Sequence, residues 1–181
     1  MISHAAKTHK IRTVTSVHLG NLSDDQVEGL VTSGLDKLIV SIDGATQEVY
    51  EIYRVGGNIE KVFTNMKRLI EAKKRYNSNL NIVWNFLVMK QNEHQMDMAR
   101  ERAKEIGVEI TFSIMRTNLK EDILGKVEEN IEKDAQWIPK NPDFNPYDLD
   151  KKARKNPITF CKRPWMETFV NWNGDVFPCG C

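Results

Sequence analysis

Three cysteines near the end of the chain are the residues best suited to chemistry. Cys161, Cys179 and Cys181 are the only thiols, and with Gly174 the first two give the spacing C-x12-G-x4-C. Apolar residues flank the Asn173-Gly174 pair, and Asn-Gly is typical of a two-residue type I′ turn. The pattern predicts a hairpin that brings Cys161 and Cys179 together. Thiolates held at a fixed separation bind iron or zinc.

The thiols do not complete a cluster site by themselves. A cubane iron–sulfur cluster takes four thiolates or substitutes, and the chain has three cysteines. The hairpin therefore predicts the first part of a metal site whose remaining ligands lie outside this sequence. A single zinc ion on the same residues is the chemical alternative, and a hairpin with free thiols is the non-functional one.

Composition narrows the class of protein. The chain has 181 residues, with 26 Lys and Arg against 25 Asp and Glu, so no net field attracts nucleic acid or an anionic membrane. It lacks both a long apolar run and the apolar core of a signal peptide, which predicts a cytoplasmic protein. An odd number of cysteines clustered at one end suits a reducing compartment better than a disulfide scaffold.

Hydrophobic periodicity predicts the elements that position these residues. Between residues 11 and 114 strands alternate with helices, and Ser23 with Gln26 forms a capping box at the start of the first helix. Gly107 is placed to end the last helix in the left-handed conformation. This alternation requires right-handed crossovers, so we predict an α/β fold with a parallel sheet. The strands are predicted at 13–19, 37–42, 80–89 and 108–114.

The character of the sequence changes after Met115. Residues 121–137 are charged and predicted to be helical, and residues 138–157 contain four prolines, which predicts an extended segment. We therefore expect three parts: a sheet domain at 1–115, a helical and proline-rich linker at 116–160, and the cysteine hairpin at 161–181.

Two internal segments and the hairpin together carry a family resemblance. Residues 31–57 read VTSGLDKLIVSIDGATQEVYEIYRVGG, and residues 85–95 read NFLVMKQNEHQ. With the terminal cysteine spacing, the chain resembles the radical S-adenosylmethionine enzymes that carry a C-terminal SPASM or twitch extension. The points of resemblance are the strand ending in Ser-Ile-Asp-Gly, the arginine before Gly-Gly, and the cysteine hairpin.

The resemblance implies an incomplete barrel. The four strands look like the third to sixth of a partial (β/α)6 TIM-like barrel, and the family's C-x3-C-x2-C motif for the radical-generating [4Fe-4S] cluster is absent from this sequence. Either the chain is a fragment of a longer enzyme or it is a degenerate relative, and the fragment is preferred. An uncovered edge of such a sheet invites association with another chain.

The resemblance also implies the binding residues. Ser41 and Asp43, at the end of a strand, would contact the ribose or amino-acid part of S-adenosylmethionine. Asp43 and Gly44 forming only a turn is the alternative. Arg54 would make a forked contact with a carboxylate, and its alternative is a surface ion pair with Glu48 or Glu51.

The next strand and the segment after it carry two asparagines of interest. Asn85 would offer its carboxamide to an adenine or ribose edge, whereas Asn92 is interpreted first as a helix N-cap. His18 and His94 are interpreted as ordinary polar residues, since neither has a second metal-binding residue at a suitable spacing. Gly56-Gly57 before a helix is interpreted as a flexible turn.

The function implied for the parent protein is radical chemistry. A [4Fe-4S] cluster would cleave S-adenosylmethionine to a 5′-deoxyadenosyl radical that takes hydrogen from a peptide or small-molecule substrate, and Cys161, Cys179 and Cys181 would serve an auxiliary cluster. This chain alone would be inactive. The alternative is a non-catalytic α/β scaffold with a thiolate-bound structural metal.

Overall fold

A computed structural model of the chain describes residues 2–9, 11–116, 131, 133–156, 162–171 and 173–178. The chain divides into two compact units, Met1–Ile114 and Met115–Cys181. Among the described residues no helix has the length and apolar character needed to cross a membrane.

The first unit is a four-stranded parallel sheet with helices between the strands. The strand order is β1-β2-β3-β4 and every neighbouring pair is parallel. This confirms the predicted α/β fold. The elements are α1 (Ile2–His9), β1 (Val14–Val17), α2 (Asp24–Thr32), β2 (Lys37–Ser41), α3 (Gln47–Tyr53), α4 (Ile59–Arg75), β3 (Asn81–Val88), a 3-10 turn (Glu93–Gln95), α5 (Met96–Ile106) and β4 (Glu109–Ile114).

One face of the sheet carries the apolar core. Alternate residues of β2 and β3, including Leu38, Val40, Trp84 and Phe86, are fully buried. The Trp84 ring also contacts Phe63 of α4 edge-on, with 5.3 Å between ring centroids. Aromatic burial of this kind is the largest single contribution that a side chain makes to a core. Trp84 Nε1 donates to the Ile42 carbonyl at 2.8 Å, so its polar atom is satisfied.

Local sequence signals set the ends of the helices. Ser23 and Gln26 form the predicted capping box, and Gly107 ends α5 at φ 83°. Asn58 caps α4, its side chain accepting from the Lys61 amide at 2.8 Å. Helix α1 precedes the region that the periodicity covered and was not predicted.

The second unit contains two short hairpins. The strands β5 (Tyr147–Asp148) and β6 (Ala153–Arg154) pair antiparallel within the segment predicted as an extended linker. Tyr147 is buried in a small cluster with Ile131 and Ile138. A short helix, α6 (Arg163–Met166), precedes the second hairpin.

The second hairpin is the one predicted at the cysteines. It pairs β7 (Phe169–Val170) with β8 (Val176–Phe177). The prediction of a two-residue type I′ turn is wrong. Asn171 N donates to Asp175 O at 2.8 Å and Gly174 N donates to Asn171 O at 3.0 Å, with Gly174 at φ 92°. These bonds are typical of a longer connection closed by a left-handed glycine.

Candidate functional site

Small polar side chains occupy the second face of the sheet near its carboxyl edge. Ser41, Asn85 and Thr111 are partners in register on adjacent strands, and Ser113 follows two residues later on β4. Asn85 Oδ1 accepts from Ser113 Oγ and, at 3.4 Å, from Thr111 Oγ1. Ligands of open parallel sheets collect at this edge, because backbone groups of the loops converge there. The row presents hydroxyl and amide groups to such a ligand.

Asp43 and Arg54 form an ion pair at this edge. Arg54 Nε and Nη2 both donate to Asp43 Oδ2, at 2.8 and 2.6 Å, and the Leu87 amide donates to Oδ1 at 3.0 Å. Asp43 is fully buried, whereas the Arg54 side chain is 28% exposed. The alternative partners Glu48 and Glu51 are therefore wrong for Arg54. The aspartate holds the guanidinium, and the guanidinium reaches solvent.

Asn92 ties the loops after β2 and β3 together. Its Oδ1 accepts from the Met89 amide at 2.7 Å, and its Nδ2 donates to the carbonyls of Asp43 and Leu87 at 3.0 and 2.9 Å. Asn92 stands at the N-cap position of the 3-10 turn, but its side chain makes no capping bond. The N-cap interpretation is wrong for this side chain. It pairs instead with three backbone groups of the loops around it.

Gln95 makes a second link of the same kind. Its Oε1 accepts from the amides of Ala45 and Thr46 at 2.7 and 3.3 Å, and its Nε2 donates to Thr46 Oγ1 at 3.0 Å. Sequence reasoning missed this role. We call Asp43, Arg54, Asn92 and Gln95 the Asp43 network.

His18 and Tyr50 form a hydrogen-bonded pair beside that network. Tyr50 Oη lies 2.5 Å from His18 Nε2, and the rings are stacked with centroids 6.1 Å apart. Burial lowers the pKa of His18, the positive charge of Arg54 lowers it further, and Asp43 raises it by a smaller amount. Burial raises the pKa of Tyr50. Both shifts favour the uncharged forms, and the contact between these two side chains was not predicted from the sequence.

The chain bends sharply just after His18. Leu19 is buried and adopts φ 55°, a left-handed conformation that costs a non-glycine residue about 1–2 kcal/mol. The buried Asn65 side chain donates to the Leu19 carbonyl at 2.8 Å and holds the bend in place. Strain of this kind concentrates at functional sites, and here it lies at the carboxyl end of β1.

The structure thus brings four predicted site residues to one edge. Ser41, Asp43, Arg54 and Asn85 lie there together, although Asp43 is committed to Arg54. The predicted metal ligands Cys161, Cys179 and Cys181 lie outside the described residues. Among the residues that the structure does describe, no group of three or more His, Cys, Asp or Glu could hold a metal ion.

Comparison with known proteins found similarity in sequence and, separately, in structure. No family model matches the chain. It is 30% identical to a probable GTP 3′,8-cyclase of Methanococcus maripaludis, over 73% of this chain and 44% of that protein. The chain therefore spans less than half of that relative's length.

The structural relatives agree on the fold. SuiB of Streptococcus suis has a TM-score of 0.58 at 14% identity, covering 98% of this chain and 46% of its own. SuiB bound to S-adenosylmethionine has a TM-score of 0.57 at 13% identity, covering 98% and 45%. Identities this low show the shared α/β fold alone.

The protonation of His18 provides a test of the site's electrostatics. The midpoint of its imidazole resonance should lie below the ordinary value of 6.5. As the pH drops below about 6.5, His18 takes up its proton more readily in the unfolded chain than in the folded chain. The free energy of unfolding should therefore fall as the pH drops from about 6.5 through the folded-state midpoint. Arg54→Met should raise the midpoint, because it removes a positive charge.

An NMR titration with a matched arginine variant checks this. Arg102→Met removes an arginine that pairs with Glu60 at 2.9 Å, away from His18, and should leave the midpoint in place. A midpoint above 6.5 in the unsubstituted chain, or an unchanged midpoint in Arg54→Met, would contradict the described electrostatics.

Proposed function

We propose that the chain is part of a radical S-adenosylmethionine iron–sulfur enzyme. The observation that carries the proposal is the 30% identity to a probable GTP 3′,8-cyclase across 73% of the chain. Two motifs of the family resemblance, Ser-Ile-Asp-Gly and the arginine before Gly-Gly, lie at the carboxyl edge that carries the polar groups. The complete protein would supply the remaining strands and the radical-generating [4Fe-4S] cluster, for which this chain has no C-x3-C-x2-C motif.

The groups at the carboxyl edge fit S-adenosylmethionine. The Ser41 hydroxyl and the Asn85 carboxamide can donate to and accept from ribose hydroxyls and an adenine edge. Arg54 can bind a carboxylate of the cofactor or the substrate. When bound, the cofactor and a reduced cluster supply the radical that abstracts hydrogen, and the protein's share is to orient the groups and exclude water.

Asp43 acts in this proposal through Arg54. Its Oδ2 already accepts two bonds from the guanidinium and its Oδ1 one from the Leu87 amide, within a fully buried position. A direct contact between the carboxylate and a ligand would require some of these bonds to break. We therefore assign Asp43 as the residue that positions Arg54.

The cysteine tail and the partners complete the proposal. Cys161, Cys179 and Cys181 would supply part of the ligand set of an auxiliary [4Fe-4S] cluster of the SPASM or twitch type. A cytoplasmic location would keep these thiols reduced. The substrate would be a peptide or a small molecule, and the relative's name points to a nucleotide. The chain alone would be inactive, and the outer edges of β1 and β4 would pair with further strands or another copy.

Binding of S-adenosylmethionine tests the assigned edge. Saturation-transfer NMR on the chain should show saturable binding, and Ser41→Ala and Asn85→Ala should each weaken it by about three- to tenfold, the value of one lost hydrogen bond. Asn81→Ala is the matched control, because Asn81 lies on the same face of β3 at its amino end and is exposed.

Two results would overturn this assignment. One is the lack of saturable binding by the unsubstituted chain. The other is a loss of affinity in Asn81→Ala as large as that in Asn85→Ala, since the ligand would then not be at the carboxyl edge.

The metal content separates the enzyme from a structural scaffold. Anaerobic reconstitution of the complete protein with iron and sulfide should give a brown protein that retains both elements, and substituting Cys161 or Cys179 by alanine should lower its iron and sulfide content. Tightly bound zinc with no retained sulfide would instead support the non-catalytic scaffold. Elemental analysis after gel filtration makes the distinction.

A further inference from the structure

A pocket opens beside the carboxyl end of β1. Its volume is about 880 Å³, within the range of small-molecule sites. Its walls come from the end of β1 and the strained bend at Leu19, from helix α2, from the Gly56-Gly57 turn and the start of α4, and from Ile2 of α1. Apolar side chains such as Val17, Leu22 and Leu30 form part of the lining. The cavity can therefore hold the apolar body of a small ligand.

The polar groups of the pocket favour a negative charge. Lys61 is the one described lining residue with a full charge, and none of the described lining residues is acidic. The hydrogen-bond partner of its ammonium group is the neutral Asn21 amide, with Nζ 2.6 Å from Oδ1. Asn58, at the start of α4, lines the same cavity, and its side chain accepts from the Lys61 amide at 2.8 Å.

His18 adds a polar side chain to the lining of the pocket. Its Nε2 is bonded to Tyr50, and its Nδ1 lies 3.0 Å from the position a Cβ would take on Gly20, another lining residue. With Nε2 engaged, the ring has one nitrogen left for a further hydrogen bond.

Gly29 leaves open space on the α2 side of the pocket. It lies inside α2 and lines the pocket, and a Cβ built on it meets no atom within 4 Å. A ligand has room to lie against the helix backbone at this position, and a large side chain there would fill that room.

From these observations we infer that the pocket binds a small organic carboxylate, with its apolar body against Leu22 and Leu30 and its charge near Lys61. This site is distinct from the Ser41 and Asn85 row and does not rest on the proposed function. The expected ligand carries one negative charge on a compact apolar skeleton.

Two matched probes test the inference on the full chain. Phenylbutyrate carries the charge and phenylbutanol does not, and the amide shifts of Gly20, Gly29 and Gly57 report on the pocket. Phenylbutyrate should shift all three and bind about two- to fivefold more tightly than the alcohol, as expected for one exposed charge pair. Lys61→Met should remove that preference, and Lys67→Met, on an exposed position of the same helix, should keep it.

Substitutions at Gly29 test the location. Gly29→Leu fills open space and should abolish binding of both probes, whereas Gly29→Ala should retain binding and stabilise α2. Both variants should fold, and circular dichroism checks this. The inference is overturned if phenylbutyrate leaves the three glycines unshifted, if both probes bind equally well, or if folded Gly29→Leu binds as tightly as Gly29→Ala.

Discussion

The carboxyl edge of the sheet depends on one buried carboxylate. Asp43 has no exposed surface, and Arg54 and the Leu87 amide supply the charge and hydrogen bonds that a buried carboxylate requires. Removing one partner of such a buried pair typically costs about 3–5 kcal/mol. Asn92 and Gln95 then fix the backbone that carries Asp43. The Asp43 network therefore determines where the loops after β2 and β3 lie.

Two surfaces depend on this arrangement. On one side, the Ser41 and Asn85 row keeps its geometry because neighbouring strands hold register up to the edge. On the other side, the charges of Arg54 and Asp43 act on His18, which borders the pocket beside β1. A change in the ion pair should consequently be felt at both places.

Several features that depend on residues close together in the sequence were predicted correctly. The four strands, the capping box at Ser23 and the left-handed Gly107 follow from periodicity and from helix-end chemistry, and the structure confirms them. The links that Asn92 and Gln95 make to the loop after β2 did not follow, because their partners there, the Asp43 carbonyl and the Ala45 amide, lie 49 and 50 residues away in sequence. Near Arg54 the sequence offered Glu48 and Glu51 as alternative ion-pair partners, and only the tertiary structure shows that Asp43 is its partner.

The free energy of unfolding of Asn92→Ala tests the central claim most directly. The substitution leaves the Met89 amide and the carbonyls of Asp43 and Leu87 without their partner, so we predict a loss of about 2–4 kcal/mol in urea unfolding. The exposed Asn81→Ala should change the stability by no more than about 0.5 kcal/mol. Equal stabilities of these two variants would contradict the role given to the Asp43 network.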